Sequence, residues 1–329
     1  MSTLQFPNNR KKKIVVTGQM NRVMRRTIRV HPGGALVVWS GQSRVGKTTT
    51  AGEMIRQLGA VYDPDDPDAF RCVHYQVGEI PDWSGQEQKR GIRSLYHKCI
   101  GRLDEGQYRT LPTEALALQL VHGLKRKNIR MLFIDEAGTL SVDAIRGMVL
   151  VRDVAENEGW TLSMVFIGMD DLPTKMCSVQ QIEKRIHEWC YFQEYSVTDL
   201  FKMLQELHPH FASLRLENPD QLEQVQFIHN KFGGVPGEVI PFLTRLDSRT
   251  NGNDGLINLT LLKTVYISTQ MDKEASIDSV TKSRAPKSKL GNDVPAKKVE
   301  KVKKAPKLKR TPIWPIGGNT NENNESKAA

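Results

Sequence analysis

Apolar and polar positions along the 329-residue chain fall into two regimes. In the first, short apolar runs of the kind that make buried strands alternate with longer stretches of helical period. Ala35 to Trp39 is such a run, followed by a glycine-bearing loop and a helix through Leu58, and Phe70 to Gly78 alternates as a strand does. Ser84 to Leu103 and Thr113 to Lys127 carry helical patterns, the second opened by Pro112 and Thr113. Arg130 to Glu136 is the next apolar run. Ser141 to Glu158 is then a helix, with Val142, Ile145, Val149 and Val154 near one face and Gly159 at its end, and Leu162 to Gly168 is the next strand. This alternation predicts an α/β fold, a parallel sheet with helices on both faces.

Beyond about residue 195 the strand signals stop. Helices are expected over Val197 to His208, Gln221 to Phe232, Pro236 to Leu246 and Asn258 to Gln270, making a small C-terminal helical lid. From Asp272 onward Lys, Pro, Ala and Ser dominate and apolar periodicity ends, so 273–329 is read as a disordered basic tail. Within it Thr311 to Ile316 is an isolated apolar hexad, read either as a docking peptide or as a chance apolar cluster. The expected organisation is a basic N-terminal segment 1–29, a nucleotide-binding α/β domain 30–194, a lid 195–272 and the tail.

Charge changes this picture through its placement. Residues 1–29 hold eight Lys and Arg and no acid, and 281–310 hold twelve against two acids, so the formal +10 of the whole chain leaves −7 on 30–280. An acidic body with basic ends is the distribution expected of arms that contact polyanions such as nucleic acid; solubility alone is the plainer reading. The chain lacks an 18-residue apolar run and a secretory core, which predicts a soluble cytoplasmic protein with no membrane partner. Cysteines 72, 99, 177 and 190 show neither CxxC nor a His-paired spacing, so neither a zinc site nor a disulfide framework is expected.

The chemistry sits after the first strand. Gly41 to Thr48 reads GQSRVGKT, a phosphate loop: its glycines let backbone N–H groups wrap a phosphate, Lys47 reaches the β and γ phosphates, and Thr48 supplies a hydroxyl to Mg²⁺. The nucleotide-binding set is Gly41, Ser43, Val45, Gly46, Lys47, Thr48, Thr49 and Asp135, with Thr48 and Asp135 toward the metal. Asp135 and Glu136 end the run Arg130 to Glu136 as a Walker B pair, one carboxylate for the metal and one to polarise the attacking water. Asn230-Lys231-Phe232-Gly233 lacks the aspartate of a guanine signature, so ATP with Mg²⁺ is the expected ligand.

Several segments narrow this further. GQSRVGKT, FIDEAGTL at Phe133 to Leu140, VRDVAENEG at Val151 to Gly159, VFIGMDDL at Val165 to Leu172 and QQIEKRI at Gln180 to Ile186 occur in an order that resembles the TnsC/TniB-type proteins. These are AAA+ target-selection ATPases of DNA transposons, including those associated with CRISPR systems, and the resemblance covers roughly residues 14–270. It implies an AAA+ P-loop ATPase fold, assembly into a head-to-tail ring or filament on duplex DNA, and transposase and target-selector partners. It also implies a water-activating Glu136, an arginine finger at Arg185 and a first sensor that is either Asp170 or displaced, because Met169 cannot orient water. Without the resemblance, Arg185 reads as part of an exposed helix of mixed charge. Gly237 stands where many AAA+ proteins carry a phosphate-sensing arginine, and with the doubtful first sensor this implies slow turnover.

In the same family DNA is met near the helix after the second strand, which implies contacts from Lys89, Arg90, Arg93, Lys98, Arg102, Arg109 and Thr110; a solvated helix face is the alternative. No base-reading motif is visible, so binding is expected to be independent of sequence. Two rival functions share the core: a helicase loader or replication remodeller, marked by single-strand preference, and a nucleotide-dependent signalling switch without DNA binding.

Overall fold

The structure, a computed structural model, describes residues 14–66, 69–77, 92–103, 111–250 and 257–284, without the side chains of Arg102 and of 273–284. The chain divides into two units, Met1–Ile277 and Asp278–Ala329, and of the second only Asp278 to Arg284, the end of the last helix, are described.

Five parallel strands, β1 (Leu36–Gly41), β2 (Arg71–Gln76), β3 (Ile129–Asp135), β4 (Ser163–Ile167) and β5 (Ile186–Phe192), form one sheet in the order β2-β3-β4-β1-β5. Alternation along the strands sends side chains to two faces. Leu36, Val38, Leu132, Ile134, Met164 and Phe166 pack against α3 (Ile92–Arg102), α4 (Thr113–Arg126) and α5 (Val142–Asn157). Val37, Trp39, Met131, Phe133, Val165 and Ile167 face the other way, onto α1 (Gly18–Val30) and α2 (Lys47–Ala60). Because both faces are covered, β1, β3 and β4 bury nearly every residue, which is why they read as continuous apolar runs.

Short helices α6 (Leu172–Cys177) and α7 (Gln180–Glu183) lead from β4 to β5. The lid comprises α8 (Val197–Leu207), α9 (Pro209–Ala212), α10 (Pro219–Phe232), α11 (Pro236–Thr250) and α12 (Leu259–Arg284), around its own core of Leu200, Phe211, Ile228, Phe242 and Leu262. Ser196 and Asn218 cap α8 and α10 by accepting from Asp199 N and Asp220 N.

Three expectations are corrected. Residues 18–30, read as part of a basic arm, form α1: Thr17 caps it and Met20, Val23, Met24 and Thr27 bury one face, each apolar side chain worth ~1.5–3 kcal/mol. The exposed mixed-charge helix read around Arg185 gives way to a strand that was not expected, because Ile186–Phe192 pairs with β1 as an edge strand. Its alternation was masked by Glu188, an acid on the inward face that is 8% exposed and paired with Arg26 and Arg29 of α1. The backbone also stays helical to Arg284, past the expected onset of disorder at 273; the rest of the tail, Thr311 to Ile316 included, lies outside the described residues. Among the described residues no helix is long and apolar enough to cross a membrane.

Candidate functional site

The site is built at the carboxyl ends of β1, β3 and β4. Gly41 has φ 148°, and a Cβ there would lie 2.4 Å from the carbonyl oxygen of Phe192, so only glycine lets the chain leave β1 beside β5 and turn into the loop. Gly46, at φ 101°, then delivers the chain into α2, whose first residues are Lys47 and Thr48. Val45 is a core residue and offers only backbone to a ligand, while Ser43, Thr48 and Thr49 are exposed. Lys47 is 9% exposed and its Nζ donates to the carbonyls of Gly41, at 2.7 Å, and Gln42. Burial pulls the Lys47 ammonium below its ordinary pKa, while Asp135 and Asp170 oppose that shift. A half-desolvated cation beside a glycine-bearing loop at a helix N-terminus suits a polyphosphate.

Asp135 closes the other side. Its Oδ2 accepts from Thr48 Oγ1 at 2.6 Å and lies 3.2 Å from His74 Nε2, and its Oδ1 accepts the Glu136 amide at 2.8 Å. Burial pushes this carboxyl up, but the hydrogen bonds from His74, Thr48 and the Glu136 amide outweigh it and hold the pKa below the usual carboxylate value. A hydroxyl and an ionised carboxylate meeting at one point are hard oxygen donors of the kind Mg²⁺ takes alongside substrate phosphates. Among the described residues no group of three or more His, Cys, Asp or Glu side chains could hold a metal ion.

Glu136 sits at φ 58°, ψ 29°, a left-handed conformation costing of order 1–3 kcal/mol for a non-glycine residue. Strand register brings Gln76 opposite Asp135, and Gln76 Nε2 donates to Glu136 Oε1 at 3.1 Å. The carbonyl of Gln76 in turn accepts from Lys98 of α3. Neither His74 nor Gln76 was singled out in the sequence. Both lie at the end of β2 and only pairing with β3 makes them neighbours of the carboxylates.

Asp170, after β4, is close enough to Lys47 to raise its pKa and accepts a hydrogen bond from the phenol of Tyr191, whose pKa it raises by its charge. Met169 beside it is 54% exposed. Gly237 cannot be replaced by a side chain without displacement: a Cβ there would stand 2.5 Å from Arg44 Cβ. Arg44, in the phosphate loop at φ 64°, accepts from Gly237 N through its carbonyl at 3.1 Å, and its guanidinium donates to Glu238 at 2.6 Å. The lid is therefore fastened to the loop itself by an arginine of the loop. Tyr195, between β5 and α8, adds a second fastening through N–H to Gly234 O at 2.8 Å.

Arg185 is remote from this cluster. It precedes Ile186, which pairs with Leu36 at the start of β1, whereas Phe192 pairs with Gly41. One strand length, ~20 Å, separates it from its own phosphate loop. Its guanidinium is bonded to Asp153 of α5 at 2.5 Å, with side-chain exposures of 46% and 32%. Of the residues expected to meet DNA, Lys89, Arg90, Arg109 and Thr110, with the side chain of Arg102, lie outside the described residues. Arg93 opens α3. Lys98 is corrected: its ammonium is turned inward onto Gln76 O, so it is not a free phosphate-tracking cation.

Residues 30–176 match the AAA domain family. The fold is similar to that of the Aeropyrum pernix ORC2 protein in its ADPNP and ADP complexes, at 14% identity, covering 78% of this chain and 68% of that one, with a TM-score of 0.55. It is similar to the Aeropyrum pernix ORC1 protein in complex with DNA (13%, 80% and 68%, 0.54) and to Drosophila ORC bound to DNA (15%, 80% and 68%, 0.54). No curated protein matches the sequence. The fold is that of AAA+ P-loop ATPases, which use ATP with Mg²⁺, and the loop, Lys47, Thr48, Asp135 and Glu136 lie together at one end of its sheet.

Proposed function

We propose that the protein is an ATP-dependent, sequence-independent DNA-binding regulator of transposition that assembles head to tail on duplex target DNA and recruits or activates a transposase, with hydrolysis driving disassembly. The observation that carries the assembly is the separation of Arg185 from its own loop by a full strand, on an exposed face where, among the described residues, only Asp153 pairs with it. An arginine so placed cannot reach its own γ-phosphate. A neighbour stacked head to tail brings it to the next subunit's site, and such contacts close into rings or run on as filaments. Transposition itself rests on the resemblance of VRDVAENEG and VFIGMDDL to the transposon ATPases.

In this reading Lys47 and the loop amides hold the phosphates, Thr48 and Asp135 hold Mg²⁺, and the metal neutralises charge on the phosphates when bound. Glu136 takes the proton side of water attack once it leaves Gln76. Asp170, hydrogen-bonded by Tyr191, stands on the Lys47 side of the site as a polar orienting group. A second reading, a replication initiator or helicase loader, is favoured by the likeness of fold to ORC proteins, two of them solved with DNA.

Electron microscopy of Glu136→Gln with ATP tests the assembly. Ordered rings or filaments on duplex and none on single strands are expected; assembly on single strands alone favours the loader, and an ATP-bound monomer on either substrate sinks both.

A further inference from the structure

We infer that the outer face of α1 is a phosphate-backbone contact for duplex DNA, separate from the helix after β2; this rests on the reading of the protein as a DNA binder. Thirteen residues of α1 include Arg22, Arg25, Arg26 and Arg29 and no acid. The helix is fixed, because Met20, Val23, Met24 and Thr27 are buried against the sheet side of the α/β domain. Arg22, Arg25 and Arg29 are exposed and recur at spacings of three and four, which puts them on one face over ~10 Å of helix.

The local charge is not cancelled. Glu188 is shared by Arg26 and Arg29, and Arg22 and Arg25 form no ion pair among the described residues. Four arginines against one glutamate leave +3 on a body whose residues 30–280 sum to −7. A duplex carries one phosphate charge per ~1.7 Å of axis, so a ~10 Å cationic stripe meets several phosphates at once. Arginine also bonds phosphate through a planar fork, which suits positioning without base reading. An anionic membrane is the poorer occupant: a helix that lies in a lipid surface inserts its apolar face, and here that face is already buried in the protein.

The stripe is tied to the nucleotide loop. Thr17, the cap of α1, donates through Oγ1 to Tyr195 Oη at 3.4 Å, and a Cβ on Gly46 would lie 3.8 Å from that same oxygen. Gln19 forms a two-way amide pair with the backbone of Gln193 at the end of β5, 3.0 and 3.1 Å. Force on α1 is thus delivered to the junction of loop, edge strand and lid.

The test is duplex affinity across a salt series for the full chain, Arg22→Gln/Arg25→Gln and Arg22→Lys/Arg25→Lys, with fluorescent-nucleotide affinity as the fold control. The Gln pair is expected to keep nucleotide affinity, lose duplex affinity for every sequence and flatten the log K against log salt slope by ~1.8, about 0.9 for each lost phosphate contact; the Lys pair keeps the slope. An unchanged slope in the Gln pair, with wild type binding duplex, overturns α1 as a contact and leaves the DNA reading standing. Loss of slope in the Gln and Lys pairs alike with nucleotide affinity lost marks a structural role and overturns it too. Wild type that shows no salt-dependent duplex binding, or binds phosphatidylserine vesicles in preference, overturns the DNA reading and the inference together.

Discussion

The two ends of the parallel sheet are built to different plans. At the carboxyl end the polar groups answer one another inside one subunit: Lys47 is held by the carbonyls of Gly41 and Gln42, Asp135 by Thr48 and His74, and Glu136 by Gln76. At the amino end the exposed pair Arg185–Asp153 extends through Arg152, 3.5 Å from Asp153, which also approaches Glu156 at 3.9 Å. Exposed pairs of this kind contribute about 0–1 kcal/mol, so their arginine can change partner at small cost. The lesson is that the polar groups of one end are tied to one another, while an arginine of the other is held by an exposed pair, which is the difference the proposed head-to-tail assembly requires.

The sharpest way to break that contrast is to disable one end at a time. Arg185→Ala is expected to lower ATP turnover by about 10³-fold, the scale of a trans-acting arginine, while nucleotide binding and melting temperature stay near wild type. Lys47→Ala removes the loop's phosphate-reaching cation and is expected to abolish nucleotide binding. Mixed together, the two dead variants should recover turnover, because the Lys47→Ala subunit still offers Arg185 to its neighbour's intact loop. No recovery over a range of ratios would confine Arg185 to its bond with Asp153.

A second, smaller effect separates the ends by pH. His31 lies at the amino end, with Nδ1 2.8 Å from Ser163 Oγ and its ring tilted against Phe70, centroids 4.0 Å apart. Burial, helped by the charge of Arg130, lowers its pKa to about 4. The unfolded chain, with an ordinary histidine near ~6.5, therefore binds the extra proton between those values, so stability is full above pH ~6.5 and falls toward pH ~4 by up to ~1.4 kcal/mol per pH unit, ~3 kcal/mol in all. Urea unfolding of wild type and His31→Gln across that window should show the acid slope reduced in the variant. Equal slopes would mean that His31 charges freely in the folded state.

Much of the carboxyl end was legible in the sequence, and the reasons are local. A phosphate loop needs Gly41, Gly46, Lys47 and Thr48 in one contiguous stretch, and a buried strand ending in Asp135 and Glu136 declares itself by its apolar run. What pairing creates was not legible: Gln76 and His74 acquire meaning only because β2 lies beside β3, and Arg44 only because α11 docks Gly237 against it. The edge strand β5 and the helix α1 were missed together, for one cause. Glu188 broke the strand's apolar pattern and the arginines of α1 read as a solvated arm, yet they are partners that bury the acid.

The smallest expected effect sharpens the carboxyl end. Gln76 donates to Glu136, and a bond to a charged acceptor is worth roughly 1.5–3 kcal/mol net, less here because the pair is exposed. That bond to Oε1 stabilises the ionised carboxylate and lowers its basicity toward water, so in the proposed reading part of it is added to the barrier for hydrolysis. Gln76→Ala removes the donor without touching Lys47, Thr48 or Asp135. Basal turnover without DNA should therefore rise by about tenfold, the equivalent of ~1.4 kcal/mol, with nucleotide affinity unchanged. The Lys98 bond to the Gln76 carbonyl is a backbone contact and persists in this variant, so Lys98→Met serves as the companion. It loosens the end of β2 and is expected to raise turnover by a smaller factor. Single-turnover ATPase measurements on both variants decide the matter: if Gln76→Ala turns over at the wild-type rate or slower, Gln76 serves to position Glu136 for attack, and the carboxyl end is not self-restrained.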